Sequence, residues 1–306
     1  MRITTLGTAA GGGFPQWNCN CRLCAGVRAG TVRAKPRTQS SIFVQPDDGD
    51  DGVLINASPD ILQQIRANSG LQPNRRIRDS AIAAVVLVDG QVDHATGLLM
   101  LRERGSPLPL WCTDAVADDL RSGLPLLSVL GHYCGVQRER IALDGGAFQI
   151  NGVPGLSLRA LPLPGKAAPY SPHREQPAPG DNIGLVIRDV ARGTSAFYAP
   201  GLGAITPAVF DAMASSDCVL VDGTFWRDDE MRALGLSSKS ARDIGHLPQS
   251  GPDGMIEWMR KLPAATRRLL IHINNTNPIL DEESSERAAL AAERIEVCED
   301  GLVLTV

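Results

Sequence analysis

The chain has 306 residues, of which 43% are hydrophobic and 21% are charged, and its formal net charge is -4 at pH 7. A chain of this length buries about three quarters of its unfolded surface, so the sequence predicts a stable hydrophobic core. Acidic and basic residues are interspersed, which gives no electrostatic reason to expect nucleic acid or an anionic membrane as a partner.

The first notable feature in chain order is a cluster of three cysteines. Cys19, Cys21 and Cys24 follow a glycine-rich turn at residues 11–17. Thiols two or three residues apart are too close for an unstrained disulfide in an ordinary loop, but they can bind one tetrahedral metal ion. We predict a structural zinc site over residues 19–24 whose fourth ligand comes from a distant segment. A redox pair or three unrelated thiols is the alternative.

The sequence predicts neither a signal peptide nor a membrane span. Residues 1–7 contain too short an apolar run for a signal peptide, and no stretch approaches the ~20 apolar residues that cross a bilayer. The remaining cysteines lie in or beside apolar runs and are expected to be reduced core residues. These are Cys112, Cys134, Cys218 and Cys298. A cytoplasmic location is therefore predicted.

Short β-branched runs alternate with amphipathic segments along the chain. The predicted strands are residues 42–44, 53–55, 82–88, 183–187, 218–221 and 269–273. The predicted helices are residues 59–68, 95–104, 113–122 with Thr113 as the N-cap, 254–262 and 281–294. Because no internal repeat or long linker interrupts this mixture, we predict a single α/β domain over residues 1–306.

The predicted strand at residues 82–88 runs into a polar turn. This turn holds Asp89, Asp93 and His94. Open α/β sheets place their chemistry at strand ends that face a crevice, so these side chains are candidates for a functional site. An ordinary helix start, with Asp93 as the cap and His94 exposed, is the alternative.

Residues 162–182 form the longest irregular segment and carry six prolines. A structureless stretch of this length inside a compact domain is usually a functional loop or lid. We therefore predict a proline-rich active-site loop over residues 162–182.

The polar turn resembles the H-x-H-x-D-H-x-x-G metal motif of the metallo-β-lactamase superfamily. The aspartate, the last histidine and the glycine of the motif correspond to Asp93, His94 and Gly97. Asp89 and Gln91 stand where the first two histidines are expected.

Other landmarks of the superfamily follow in the same order. Asn56 stands where an early strand ends in aspartate, and Gly201 stands where a later strand delivers a metal-bridging aspartate. His272 stands where a late strand ends in a metal-binding histidine.

Within that superfamily, the chain resembles the pyrroloquinoline quinone biosynthesis protein B family over essentially its whole length. The matching segments are GGGFPQWNCNC at 11–21, GVRAG at 26–30, PRTQSS at 36–41, NASPD at 56–60 and GDNIGL at 180–185. The resemblance implies an αββα sandwich of two mixed sheets with helices outside. Related phosphodiesterases of phosphonate metabolism complete the cysteine site with a histidine, which implies His246 as the fourth zinc ligand.

The resemblance implies one active-site metal bound by Asp93, His94 and His272, because the other superfamily site has lost its ligands. Two histidines and one carboxylate with open positions are the donor set of non-haem Fe(II) oxygenases. Zinc with three protein ligands and a water is the competing interpretation, and zinc could also replace iron during purification. Asp89 and Gln91 complete the predicted catalytic set, as hydrogen-bonding partners of the ligands or of the substrate.

The family's pathway joins a glutamate to a tyrosine within a peptide, and the tyrosine ring must then be oxygenated. The resemblance thus implies an Fe(II)- and O2-dependent hydroxylase of a tyrosine-derived small-molecule or short-peptide precursor. A zinc hydrolase is one alternative, and a carrier that helps to move the cofactor or a precursor toward the periplasm is another. A homodimer and contacts with other proteins of the pathway are compatible with the resemblance.

A substrate with several carboxylates predicts cationic and polar side chains in its pocket. His173, Asn182 and Trp226 are the principal candidates, with Tyr170 as a further aromatic one. The arginine candidates are Arg28, Arg33, Arg37, Arg174 and Arg227. The commoner fate of each arginine is a solvated surface position.

Overall fold

The computed structural model describes residues 1–306, whose strands form two seven-stranded sheets. The strands are β1 Arg2–Gly7, β2 Ser41–Gln45, β3 Gly52–Ile55, β4 Ile82–Val86, β5 Leu108–Cys112, β6 Val136–Arg140, β7 Ala147–Phe148, β8 Leu156–Pro162, β9 Ile183–Asp189, β10 Ser195–Ala199, β11 Cys218–Asp222, β12 Arg267–Ile271, β13 Ile295–Val297 and β14 Val303–Thr305. The sheet orders are β14-β1-β2-β3-β4-β5-β6 and β13-β12-β11-β10-β9-β8-β7.

Each sheet is half antiparallel and half parallel. The pairs along β14, β1, β2 and β3 are antiparallel, and those from β3 to β6 are parallel. In the second sheet, the pairs from β7 to β10 are antiparallel and those from β10 to β13 are parallel. In the parallel half of each sheet, the carboxyl ends of several neighbouring strands therefore lie side by side at the same end of the sheet.

The α-helices cover the outer faces of the two sheets. They are α1 Arg22–Ala29, α2 Ile61–Ala67, α3 Val92–Ala95, α4 Asp114–Ser122, α5 Leu126–Leu130, α6 Pro207–Ala214, α7 Glu230–Ala233, α8 Met255–Arg260 and α9 Ser285–Ala292. None of these helices has both the length and the apolar character needed to cross a bilayer.

Alternating side chains of the central strands enter two different cores. In β2, Ile42 and Val44 pack between the two sheets, whereas Phe43 packs under the helices of the first sheet. In β12, Leu269 packs between the two sheets, whereas Leu270 packs under the helices that cover the second sheet. Strands buried on both faces are apolar throughout, which is why they were recognisable as continuous hydrophobic runs. The layered cores confirm the predicted αββα sandwich.

The strands missed by the sequence analysis include all four sheet edges. These edges are β6, β7, β13 and β14. β6 reads VQRER and alternates weakly, while the other three have only two or three residues. Short or polar edge strands resist unwanted pairing with other chains, and the same properties hide them from a search for apolar runs. The inner strands β1, β5, β8 and β10 were also missed.

The predicted helix at residues 95–104 is wrong. The α-helix ends at Ala95, and residues 96–101 form a 3-10 helix instead. Gly97 donates its N–H to the carbonyl of Ala57 at 2.8 Å, so the backbone is held against a neighbouring loop. By contrast, the predicted N-cap Thr113 is confirmed, because its hydroxyl accepts the N–H of Val116 at 3.2 Å.

The scattered cysteines mostly behave as small core residues. Cys112, Cys218 and Cys298 are buried and free, as predicted, whereas Cys134 is only half-buried. Burial raises the pKa of Cys218 to about 12, so this thiol stays protonated and chemically inert.

We predict that Gly97→Ala destabilises the fold. A Cβ at this position would lie 2.1 Å from the carbonyl oxygen of Ser58, which is backbone and cannot swing aside. We expect the free energy of unfolding to fall by about 3 kcal/mol, measured by urea denaturation. Gly70→Ala is the matched control, because a Cβ there meets nothing within 4 Å. Equal unfolding midpoints for the two variants would contradict the packing argument.

Candidate metal centre

Polar side chains from both sheets meet at the carboxyl ends of their parallel strands. Asp89, Asp93 and His94 follow β4 of the first sheet. Asp222 is the last residue of β11, and His272 follows β12 of the second sheet. The site therefore lies across the opening of the sandwich and takes residues from each sheet.

Asp93, His94 and His272 point one atom each at a common centre. The Nε2 atom of His272 lies 3.2 Å from Oδ2 of Asp93, and the Nε2 atom of His94 lies 3.8 Å from the same oxygen. The two imidazole rings are 5.1 Å apart at an angle of 67°. These three residues form one of the groups in the chain that could hold a metal ion.

Asp89 determines which nitrogen of His94 faces this centre. Both carboxylate oxygens of Asp89 lie within 2.9 Å of Nδ1 of His94. Nδ1 therefore donates a hydrogen bond to Asp89, so the neutral ring that a metal ligand requires has its lone pair on Nε2. That Nε2 atom is buried and has no hydrogen-bond partner.

Thr224 determines the orientation of His272 in the same way. The Thr224 hydroxyl donates to the carbonyl oxygen of His272 at 2.8 Å, so it accepts the Nδ1 proton of the same residue at 2.9 Å. This assignment leaves a lone pair on Nε2 of His272 as well. The backbone of His272 has a φ of 61°, a conformation that is uncommon outside glycine and is held here by the two bonds to Thr224.

The site thus aims two imidazole lone pairs and one carboxylate oxygen at each other. Such a set is repulsive unless a proton or a cation lies between its members, and the donor set fits a divalent transition metal. Burial lowers the pKa of His94, but the carboxylates of Asp89 and Asp93 outweigh this effect and raise it to about 9. Burial raises the pKa of Asp93, but the two histidines outweigh this effect and hold it well below its usual range.

His246 is not beside the cysteines, so its prediction as the fourth zinc ligand must be corrected. Its Nδ1 lies 2.6 Å from Oδ2 of Asp222, and its ring stacks on that of His272 with centroids 5.5 Å apart. The 3-10 turn at Arg242–Ile244 ends at Gly245, which has a φ of 89° and directs the chain back over the ends of the second sheet. His246 therefore belongs to the active centre.

The side chain beside the three thiols is that of Asn275. Its Nδ2 atom lies 3.1 Å from Sγ of Cys19, 3.4 Å from Sγ of Cys24 and 3.9 Å from Sγ of Cys21. The nitrogen and oxygen of an amide are interchangeable by rotation, so Asn275 can also present its oxygen to an ion held by the thiolates. The sequence analysis missed this residue, although it lies three positions after His272.

A second group, which the sequence analysis did not predict, contains Asp222, His246 and His272. Asp222 is already engaged, because its oxygens accept the N–H groups of Leu202 at 2.8 Å and Thr224 at 2.9 Å in addition to His246. Its position at the carboxyl end of the apolar run at residues 218–221 was the available signal. Gly201, the predicted bridge position, lines the same cleft without a side chain.

The metal centre lies in a cleft of about 1060 Å³. Asp89, Gln91, His246 and the proline-rich segment contribute to its walls. Among the predicted substrate residues, only Asn182 and Arg174 line it. Asn182 donates to the carbonyl of Lys166 at 3.1 Å, so its amide is held at the rim.

His173, Tyr170 and Trp226 do not line the cleft, which corrects their prediction as pocket residues. The ring of His173 lies between Asp181, at 2.8 Å from Nε2, and Ser171, at 3.0 Å from Nδ1. The hydroxyl of Tyr170 donates to the carbonyl of Gly90. Tyr170 therefore fastens the proline-rich segment to the first sheet's site turn, and His173 holds two parts of that segment together. Trp226 packs against the core under the helices of the second sheet.

Four of the predicted arginines also lie outside the cleft. Arg28 donates to backbone carbonyls of the cysteine turn, and Arg37 is buried and donates to the carbonyl of Cys298. Arg33 pairs with Glu282 at 3.0 Å, and Arg227 pairs with Asp229 at 3.2 Å.

Comparisons with known proteins agree with this architecture. The model of the beta-lactamase superfamily domain matches residues 52–273. The coenzyme PQQ synthesis protein B of Azoarcus sp. (strain BH72) is 61% identical over 306 residues and covers 100% of both chains. The protein of the same description from Cupriavidus necator is 60% identical over 304 residues, which is 99% of each.

Solved structures give the same result. The Zn(2+)-bound PqqB from Methylobacterium extorquens has a TM-score of 0.91, 39% identity and full coverage of both chains. A diphosphatase from the PhnP family has a TM-score of 0.67 and 20% identity over 99% of this chain and 97% of its own, which is a likeness of fold.

We predict that Asn275→Ala, and not His246→Ala, empties the cysteine site. Loss of the fourth side chain should reduce zinc retained after dialysis against a chelator and lower the melting temperature by about 5 °C, because metal-binding energy is also folding energy. Zinc retention at this site can be measured in a His272→Ala background, which removes the active-centre ligand. Retention by the Asn275 variant and loss by the His246 variant would restore the original assignment.

We also predict that Asp89→Ala weakens metal binding at the active centre by about 10- to 100-fold, because nothing would then fix the tautomer and orientation of His94. Competitive titration against a chromogenic chelator measures this affinity. Gln91→Ala is the matched control, since Gln91 lines the cleft but contacts neither imidazole. An equal loss in both variants would show that the carboxylate of Asp89 has no specific role.

Proposed function

The chain belongs to the coenzyme PQQ synthesis protein B family of the metallo-β-lactamase superfamily, and from this premise we propose that it is a metal-dependent oxygenase of that pathway. Its substrate is a tyrosine-derived precursor, and its reaction is oxygenation of the phenol ring by O2. The active-site ion is Fe(II), held by Asp93, His94 and His272.

The observation that carries this proposal is the convergence of two imidazole lone pairs and one carboxylate. The buried Nε2 atom of His94 has no partner within the chain, and Asp89 prevents its ring from turning away. Two nitrogens and one oxygen on one side of an ion leave the remaining positions open, as in non-haem Fe(II) oxygenases. The Methylobacterium extorquens relative is described as Zn(2+)-bound, which supports a divalent metal in this family.

The overall reaction balances without a further co-reactant. A phenol and one O2 give an ortho-quinone and one water, so the ring supplies all four electrons that dioxygen takes up. When bound, Fe(II) supplies the open positions for O2 and a route for these electrons, which a redox-inert zinc ion cannot provide. Stopping at the catechol would require two electrons from an external reductant.

The surrounding side chains position the reactants. Asp89 and Thr224 fix the two imidazoles, so the donor geometry exists before substrate binds. His246 lines the cleft, and Asp222 holds its Nδ1 proton at 2.6 Å, so its Nε2 atom can accept a hydrogen bond from the substrate hydroxyl. Gln91 lines the same wall as a neutral hydrogen-bonding group.

A zinc hydrolase is the second candidate, because Asp222, His246 and His272 form a further group that could hold an ion. Hydrolysis in this fold uses a water held between two ions. Asp222 is a poor bridge, however, since backbone amides and His246 already occupy its oxygens. The oxygenase is therefore the better supported function.

Incubation of the Fe(II)-loaded protein with 18O2 and a tyrosine-containing precursor tests the proposal. We expect one labelled oxygen in the product by mass spectrometry, no incorporation with zinc, and no incorporation by His272→Ala. Gln91→Ala should keep its iron and part of its activity. Turnover of a phosphodiester or lactone by the zinc protein, together with no labelled product from the iron protein, would favour the hydrolase.

A further inference from the structure

The cleft carries more positive charge than the rest of the molecule suggests. The chain as a whole has a formal charge of -4, yet four cationic side chains line the cleft around the metal centre. They are Lys166, Arg174, Lys239 and Arg242. Three carboxylates also line the cleft, but Asp89 and Asp93 are directed at the histidines and Asp243 pairs with Arg232, so none of them forms an ion pair with these cations.

Two of the four cations belong to the proline-rich segment and already have partners within it. Lys166 forms an ion pair with Glu175, and Arg174 donates to the carbonyl of Ala167. These contacts tie the proline-rich segment to itself. The other two cations, Lys239 and Arg242, belong to a different part of the lining, the turn that leads to His246.

Nearby carboxylates in that turn are committed to other groups. Asp243 accepts the N–H of Ser240 at 2.8 Å and the guanidinium of Arg232 at 2.8 Å. Asp228 accepts the backbone N–H of Arg242 at 3.0 Å. No carboxylate lies within ion-pair distance of the side chains of Lys239 or Arg242. The carboxylate of Glu175, which is paired with Lys166, is near enough for Lys239 to contribute to lowering its pKa, after the larger effect of Lys166.

The guanidinium of Arg242 makes one long contact, to the carbonyl of Pro252 at 3.4 Å. Such a contact is weak, and the remaining donors of the guanidinium are free to bind a ligand. An Arg guanidinium binds a carboxylate through two parallel hydrogen bonds, and an adjacent ammonium adds a second positive charge.

The proline-rich part of the cleft lining has a different character. Prolines at 164, 177 and 179 line it, and they offer rigid apolar rings without hydrogen-bond donors. The volume of about 1060 Å³ is at the upper end for small-molecule pockets. An aromatic ring of a ligand can pack against these prolines while its carboxylates bind the cations.

We propose that Lys239 and Arg242 are the side chains of this cleft that bind the carboxylates of the substrate. This inference rests on the proposed function, since it names specificity-determining residues for the same cleft. It concerns binding and not chemistry, so it can be tested where no oxygenation occurs.

The test is the binding of pyrroloquinoline quinone, a flat tricarboxylate, to the zinc-loaded protein under nitrogen by calorimetry. We expect Arg242→Gln and Lys239→Gln each to weaken binding about 10-fold, since each removes a charge-assisted contact. The trimethyl ester of the same molecule should bind wild-type protein as weakly as the acid binds the double variant. Arg227→Gln is the matched control, because Arg227 is exposed on the same stretch of chain but outside the cleft.

Both substituted side chains are exposed, so melting temperature and metal content should not change, and a folding defect would be visible in either measurement. Wild-type affinity in the double variant, or equal affinity for acid and ester, would overturn the carboxylate site. Absence of oxygen incorporation by the iron protein would count against the proposed oxygenase and leave this binding result intact.

Discussion

The organisation of the active centre depends on hydrogen bonds that fix two buried imidazole rings. Asp89 holds the Nδ1 proton of His94, and Thr224 holds that of His272, so the two Nε2 lone pairs have no alternative direction. One ring is carried by the first sheet and the other by the second. A metal between them would therefore add to the main-chain hydrogen bonds that connect the two sheets beside the site, such as those from Ile183 to Val88 and from Ile273 to Thr8, each at 2.8 Å.

Much of the fold and part of the site were accessible from the sequence, for a common physical reason. Strands buried on both faces must be apolar throughout, and polar residues directly after such a strand stand out, as Asp89 and His272 do. Edge strands such as β6 are polar because they face solvent, so periodicity does not reveal them. The 3-10 turn after Ala95 depends on the contact of Gly97 with a distant loop, which local pattern does not contain.

The error over His246 shows where sequence reasoning reaches its limit. Two polar groups, the cysteine cluster and the active centre, each needed a partner from the second half of the chain, and order along the sequence does not say which partner serves which. The left-handed backbone of His272 is followed by the turn that places Asn275 over the thiols, while the turn at Gly245 brings His246 to Asp222. Only the three-dimensional structure shows that Asn275 joins the cysteine cluster and that His246 joins Asp222.

The site contains two copies of one chemical unit in two different surroundings. In each, an aspartate holds Nδ1 of a histidine, as Asp89 does for His94 and Asp222 does for His246. The Nε2 atom of His94 is buried and faces Asp93, where a metal would satisfy it, whereas His246 lines the open cleft, where a ligand could bind it. An aspartate at position 89, where the superfamily motif has a histidine, therefore does more than remove a ligand. Under the proposed function, it turns a position of the first metal site into support for the second, which would lead from a two-ion site to a single ion with open positions.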